Sequence, residues 1–261
     1  MRKYRFLILR RFIQCLILSL YMLGSYYGVK ILQGNLSGSL LFETIPLSDP
    51  FALLQLFFSG AIVGLNSLLG GLIIILFYGI FFGRAFCSFV CPMNLISDLA
   101  SFVRKTLKIR GSLFVISRNT RYVVFGLSLV LSFIFGIPAF ENISPITHIH
   151  RGLVFGIGFG GFIVLSVFLF DIAIKHGFCG HVCPLGAFYS LVSKFSILRV
   201  KYDLESCTKC MECKNICPEN QVLDLITHHS GRVTSGECIL CGRCIEVCGD
   251  NALEFSIIKE K

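Results

Sequence analysis

Four stretches of this chain, at about residues 12–32, 62–83, 121–140 and 153–174, are apolar over the length a helix needs to cross a bilayer. A hydrocarbon core of about 30 Å takes about 20 apolar residues. In that solvent every backbone polar group must be satisfied within the segment. The expected fold is therefore an α-helical membrane protein with four transmembrane helices. Composition agrees, because 54% of the 261 residues are hydrophobic and only 15% are charged, far from the balance of a soluble domain. From residue 199 the chain turns polar and rich in cysteine. The domains expected are a four-span membrane domain over 1–198 and a small appended domain over 199–261.

The formal net charge of +9 is unevenly placed. Arg2, Lys3, Arg5, Arg10 and Arg11 precede the first span. The next loop has no basic residue beyond Lys30 at the span's end. Arg84, Arg104, Lys105, Lys108, Arg110, Arg118 and Arg121 lie between spans two and three, only Arg151 lies in the following loop, and the C-terminal segment is basic again. Lys and Arg collect on the cytoplasmic side of membrane proteins, so both termini are expected in the cytoplasm. Nucleic acid is not an expected partner, since no basic patch accompanies a recognisable binding fold. The first apolar stretch is long for a signal-peptide core and lacks a small-residue cleavage site, so an uncleaved anchor is expected.

The chain repeats itself. GGLIIILFYGIFFGRAFCSFVCP (Gly70 to Pro92) is similar to GGFIVLSVFLFDIAIKHGFCGHVCP (Gly160 to Pro184). Each half holds two spans, so the two copies run parallel across the membrane.

Two cysteine runs follow. Cys207, Cys210, Cys213 and Cys217-Pro218 fit C-x2-C-x2-C-x3-C-P, and Cys238, Cys241, Cys244 and Cys248 repeat the spacing with Gly249 in place of proline. This is the bacterial ferredoxin pattern, in which three close thiolates wrap one cube and the fourth cysteine of each run ligates the other. One [4Fe–4S] cluster would take Cys207, Cys210, Cys213 and Cys248, and a second would take Cys238, Cys241, Cys244 and Cys217. Disulfides need an oxidising compartment, and zinc favours separated CxxC pairs over a run of four. No C-x-x-C-H occurs, so c-type haem is not expected. The segment is expected to be an α+β bacterial 2[4Fe–4S] ferredoxin-like domain on the cytoplasmic side. RVTSGE (Arg232 to Glu237) and ALEFSII (Ala252 to Ile258) are its expected strands. Lys209, Lys214 and Arg243 either offset the anionic clusters or are ordinary solvated charges.

A second constellation is Cys87/Cys91-Pro92 with Cys179/Cys183-Pro184, each a C-x3-C-P where a span meets the cytoplasm. On a helix, residues i and i+4 share a face, so each pair would present two thiolates together. The readings are a further metal site, a redox disulfide, or small buried hydrophobes with the proline starting a new helix. Cys15, inside the first span, is expected to serve packing. Asp171 lies within a span, a position that is functional by default, but Lys175 is placed for a local ion pair. His148 and His150 are expected on an outer loop, mostly solvated, while His176 and His181 flank Cys179. Asp49-Pro50 is a helix-start signal, opening an apolar segment suited to the outer interface.

These motifs together resemble the NapH family of membrane-bound ferredoxin-type proteins. GNLSGSLLFETIPLSDP (Gly34 to Pro50), HRGLVFGIGFG (His150 to Gly160) and CGHVCPLGAFY (Cys179 to Tyr189) are similar to it in particular. The resemblance implies a quinol dehydrogenase subunit of the bacterial inner membrane in anaerobic respiration, not catalytic alone. It would draw electrons from menaquinol or ubiquinol, pass them to a periplasmic iron–sulfur partner, and so feed a downstream periplasmic nitrate reductase. The cysteine motifs are shared with regulators that add a periplasmic flavin domain and with oxidase-maturation proteins that add a periplasmic β-domain. A maturation or regulatory protein for a respiratory metalloenzyme is thus the alternative, which the absence of those additions disfavours.

Overall fold

In the computed structural model, which describes residues 4–109, 111, 114, 116–156 and 158–257, helix α1 (Arg5–Tyr27) is followed by strands β1 (Leu32–Gly34), β2 (Gly38–Leu41) and β3 (Ile45–Ser48). Helices α2 (Pro50–Phe58) and α3 (Leu65–Leu76) come next, and α3 runs on into a π-helical turn over Phe77–Phe82. The first C-x3-C-P lies between α4 (Ala85–Phe89) and α5 (Met93–Thr106). Then come α6 (Thr120–Phe135), α7 (Ala139–Ile143), α8 (Pro145–Phe155) and α9 (Gly160–Ala173), a second π-helical turn over Phe178–Val182, and α10 (Pro184–Val192). Strand β4 (Leu198–Tyr202), α11 (Glu212–Ile216), β5 (Gly231–Arg232), α12 (Arg243–Val247) and β6 (Leu253–Ile257) complete the described chain. Of the residues weighed above, Arg2, Lys3, Arg110 and Ile258 lie outside the described residues.

Two helices are long and apolar enough to cross a membrane, Arg5–Tyr27 and the continuous Leu65–Phe82. The first starts earlier than residue 12, taking Arg5, Arg10 and Arg11 into the helix, and stops where Gly28 turns to a φ of 65°. The other two apolar stretches are cut short by glycine and loop geometry. α6 ends at Gly136, left-handed with φ 66°, and α9 begins only after the break at Gly156, φ 89°. At 1.5 Å per residue they are about 24 and 21 Å long.

These helices are inside out by the standard of a soluble protein. On α6 the buried residues are Arg121, Ser128 and Ser132, while Val123, Leu127, Val130, Phe133 and Phe135 are exposed. On α9 the buried residue is Asp171, and Phe162, Leu165 and Leu169 face outward. α3 buries Gly70 and Gly71, and its leucines and Ile73 are exposed. A soluble helix buries its apolar stripe, whereas helices in lipid pack through small and polar residues. Arg10, Arg84, Arg104 and Arg121, counted above as topology charges, are buried. The Arg104 guanidinium donates to the carbonyls of Ile172 and, at 2.6 Å, of Gly111.

By contacts the described chain forms two compact units. One comprises Gln14–Ile75 and Cys91–Phe188. Its β1–β2–β3 sheet is antiparallel, with Leu41 opposite Ile45. The turn between β2 and β3 puts Phe42 and Glu43 at φ 52° and 58°, a conformation usually announced by Gly or Asn. Gly34 must be glycine, since its φ is 105° and a Cβ there would come within 2.4 Å of the Gly38 carbonyl oxygen. Asp49 is the N-cap of α2, its Oδ1 accepting from Phe51 N–H at 3.1 Å. Phe51 packs against Phe125, Phe140 and Phe188.

The other unit comprises the residues through Ile13, Leu76–Val90, and Tyr189 onward. Its sheet has the order β5–β4–β6, all antiparallel, with Val200 opposite Phe255. β4 was not expected from the sequence, and β5 overlaps the expected RVTSGE strand only at Arg232. Pairing extends one residue further, because Val233 N–H donates to Val200 O at 2.9 Å. Val200, Tyr202, Leu223, Ile226, Val233 and Leu253 form the core, joined by Ala85 and by Cys213 and Cys244.

Candidate functional site

Each cysteine run makes the same backbone manoeuvre. In the first, Lys209 and Met211, on either side of Cys210, have φ of 62° and 64°. In the second, Leu240 and Gly242, on either side of Cys241, have φ of 51° and 74°. Left-handed residues alternating with ordinary ones curl the chain and turn successive N–H groups inward, a concavity that suits an anion. Lys209 N–H donates to Cys207 Sγ at 3.3 Å, and Leu240 N–H holds the Cys238 thiol in the same way. A short helix then follows each curl, α11 carrying Cys213 and α12 carrying Cys244. Three non-glycine residues in this conformation cost about 1–3 kcal/mol each, strain that concentrates at working sites.

The curls collect the thiols into two groups. Cys217 lines one cavity with Cys238, Cys241 and Cys244, and its walls also include Val200, Val222, Leu223, Ile239 and Leu240, with the charged Glu219 and Arg243. Burial pushes the Cys238 thiol up to about 11, with Leu240 N–H pulling it back and Cys241 adding to the rise, and burial followed by Cys241 pushes Cys217 and Cys244 upward too. Around Cys213 burial again dominates, and Cys248, Cys207 and Cys210 add to it. Cys248 therefore stands with the first run and Cys217 with the second.

Among the described residues no three His, Cys, Asp or Glu side chains converge on a point fit for a single ion. Nor does a disulfide form among them. Thiols around a cavity with a dry wall fit a cluster, whose iron atoms spread four sulfur ligands about a cube. Their upward shifts fit as well, because thiols reluctant to ionise alone are deprotonated by a bound metal.

Two charges near this cavity were not anticipated. Arg84, in the first repeat's FFGRAFC, forms a buried ion pair with Glu219 at 2.8 Å and donates to Glu237 O at 3.2 Å. Arg199, on β4, is 7% exposed and donates to six main-chain carbonyls, those of Ser193, Lys194, Ser196, Val233, Thr234 and Ser235. By contrast Lys209 is exposed and Lys214 half-buried. Alternation in Leu-Arg-Val-Lys-Tyr makes β4 legible in retrospect, but it places Arg199 on the face a reader expects to be solvated.

The C-x3-C-P cysteines divide differently from the helical expectation. Cys87 lies within α4, half-buried, but that helix is capped at Val90, and buried Cys91 falls beyond it. Cys179 lies in the π-helical turn and Cys183 follows it in extended conformation, so neither pair rides one α-helical face. Cys183 Sγ accepts from Gly186 N–H at 3.4 Å. New helices do start at the prolines, α5 directly after Pro92 and α10 at Pro184. Ser88, next to Cys87, donates to Ile239 O at 2.7 Å, in the second ferredoxin run. Cys15 is exposed, not packed inside.

The other weighed residues are structural in varied ways. Asp171 is buried and its Oδ1 accepts from Phe178 N–H at 2.7 Å, at the start of the π-helical turn. His176 sits against Ser97, whose hydroxyl is 3.2 Å from Nδ1. His148 Nε2 is 3.1 Å from Asn142 O. His150 corrects the expectation of a solvated loop residue, since α8 buries it edge-on to Tyr21 with ring centroids 5.0 Å apart. Burial, with Arg151 adding, pulls its pKa down.

Comparison with known proteins agrees with the cysteine geometry. A family model described as a 4Fe-4S binding domain matches twice, at residues 63–110 and 152–204, covering the two repeat copies, and a 4Fe-4S dicluster domain matches residues 199–249. The ferredoxin-type protein NapH of Haemophilus influenzae is 43% identical over 258 residues, 97% of this chain and 90% of its own length. NapH of Escherichia coli is 40% identical over 260 residues, 98% of this chain and 90% of its own. The methylamine utilization ferredoxin-type protein MauN of Methylobacillus flagellatus is 39% identical over 256 residues, 97% of this chain and 90% of its own. No solved structure matches. With this identity along nearly its whole length and 4Fe-4S domains over both the repeats and the cysteine runs, the chain belongs to the NapH family of ferredoxin-type electron-transfer proteins.

Proposed function

We propose that this protein is the membrane electron-transfer subunit of a quinol dehydrogenase, carrying electrons from menaquinol or ubiquinol towards a periplasmic nitrate reductase through a periplasmic iron–sulfur partner. It lies in the bacterial inner membrane with four spans over 1–198 and both termini in the cytoplasm. Residues 199–261 are the ferredoxin-like domain. The observation that carries the reading is the cavity ringed by Cys217, Cys238, Cys241 and Cys244, in a chain whose apolar helices turn their hydrophobic faces outward.

Cys217, Cys238, Cys241 and Cys244 would hold one [4Fe–4S] cluster, and Cys207, Cys210, Cys213 and Cys248 the other. When bound, each cluster supplies one-electron transfer at a potential set by its surroundings. The chain's own contribution is to hold the thiols and exclude water through Val200, Val222, Leu223 and Leu240. Exposed apolar side chains in these numbers on α3, α6 and α9 fit lipid. The short α6 and α9 would be accommodated by local thinning of the bilayer. Cys87, Cys91, Cys179 and Cys183 form a further redox or metal site, a reading supported by the two 4Fe-4S matches at residues 63–110 and 152–204, each containing one C-x3-C-P.

The similarity to MauN makes a second downstream system, that of methylamine utilization, the natural rival. A strain lacking this gene should lose quinol-dependent nitrate reduction while its methylamine oxidation is unchanged. The opposite pattern would move the protein to the second system. Wild-type rescue that fails with Cys87→Ala plus Cys179→Ala, the ferredoxin clusters still assembled, would tie function to the repeat cysteines.

A further inference from the structure

One buried charge bonded to the segment that leads into the second ferredoxin run has no carboxylate partner among the described residues. Arg199 is 7% exposed, and among the described residues its hydrogen bonds all go to main-chain carbonyls, at 2.7 to 3.4 Å. Three of these carbonyls, on Val233, Thr234 and Ser235, lie in the segment leading into Cys238. Carbonyl dipoles satisfy the guanidinium's donors but leave its net charge in place. A lone buried cation is strongly disfavoured, so a counter-charge is expected nearby.

Arg84 makes the contrast. It is buried in the same unit but paired with Glu219 at 2.8 Å, so the two together are close to neutral. Both arginines reach the segment ahead of Cys238, Arg84 through the Glu237 carbonyl and Arg199 through those of Val233, Thr234 and Ser235, but among the described residues only Arg199 does so without a carboxylate partner. Among the described residues the basic groups inside the first run, Lys209 and Lys214, are exposed and half-buried. Cys210, beside Lys209, is exposed too.

We propose that Arg199 is the built-in counter-ion of the cluster held by Cys217, Cys238, Cys241 and Cys244, and that its charge raises the reduction potential of that cluster alone. A cluster ligated by four thiolates is an anion, and reduction adds one more negative charge to it. A fixed cation in a low-dielectric wall stabilises the reduced form more than the oxidised form. The cluster beside Arg199 thus becomes the favoured resting place for an electron within the pair. That cluster also borders the first C-x3-C-P repeat, since Ser88 Oγ donates to Ile239 O. The inference rests on the two-cluster reading above.

The test is an EPR-monitored redox titration of the purified full-length protein, with the second cluster's signal identified as the one lost in Cys244→Ser. Arg199→Gln should lower the midpoint of that signal by at least the equivalent of a tenfold change in its one-electron equilibrium, about 59 mV. The other signal should not move, and Arg199→Lys should restore the wild-type midpoint. An unmoved midpoint in Arg199→Gln, or equal movement of both signals, overturns the inference. If Arg199→Gln assembles one cluster only, Arg199→His carries the test. There the midpoint must rise as the pH falls and the imidazole gains its charge, and an Arg199→His midpoint that does not change with pH overturns the inference. Failure to find two signals in the wild type would instead defeat the two-cluster reading.

Discussion

Arg84 and Glu219 form a buried ion pair at 2.8 Å, joining the residue three positions before Cys87 to the residue two positions after Cys217. Removing one partner of such a pair strands a charge in the interior, typically at a cost of about 3–5 kcal/mol. Glu219→Ala should therefore cause marked loss of thermal stability and faster release of iron in denaturant. Replacing both residues together, Arg84→Met with Glu219→Leu, should recover much of the loss. A Glu219→Ala protein as stable as the wild type would show that the pair is not held in this geometry.

Asp49 gives a pH dependence of definite sign. Burial pushes its carboxyl up to about 7, Phe51 N–H pulls it back, and neighbouring Glu141 adds to the rise. Between about pH 4 and pH 7 the folded state keeps a proton that the unfolded chain gives up, so stability falls as pH rises through this window. Asp49→Asn keeps the helix cap, since Asn caps as well as Asp, and loses the titration. The variant should melt above the wild type at neutral pH, with the difference vanishing in mild acid. Melting curves that stay parallel across the window would contradict this.

Some of this was legible in the residues, and the reasons for the rest are physical. Spacing alone placed Cys217 and Cys248 in the two ferredoxin runs, and the Asp49-Pro50 helix start was equally plain. The curl that shapes each run was not, because Lys209, Met211 and Leu240 carry left-handed backbone that their side chains do not announce. The β1–β2–β3 sheet was hidden similarly, its turn built on Phe42 and Glu43. Arg84, Arg104 and Arg121 looked like solvated charges marking one side of a membrane. Their burial depends on contacts far along the chain, such as Glu219 for Arg84, which no local pattern contains.

The two thiol groups predict separable losses. Cys213→Ser and Cys244→Ser should each reduce the iron content from about eight atoms per chain to about four. Any iron at the C-x3-C-P motifs would add to both totals, and Cys91→Ala would remove it. Equal, complete iron loss in both ferredoxin variants would mean that the clusters do not assemble independently. Stoichiometric zinc with no iron would end the iron–sulfur account.

Topology can be checked without purification. Reporter fusions after Gly34 and after Asn142 should report the periplasm, and those after Lys108 and at the C-terminus should report the cytoplasm. A periplasmic C-terminus would place the ferredoxin runs beside the periplasmic partner and reverse the charge argument.

The central claim is that quinol electrons reach iron–sulfur clusters held by this chain together with its partner. The most direct measurement is anaerobic addition of a short-chain menaquinol to membranes containing the complex, followed by EPR of the frozen sample. The account predicts reduced [4Fe–4S] signals that the Cys244→Ser chain partly lacks, and that reappear as quinol is replenished after nitrate has oxidised them. Clusters that dithionite reduces but quinol leaves oxidised, in membranes that still reduce nitrate from quinol, would contradict it.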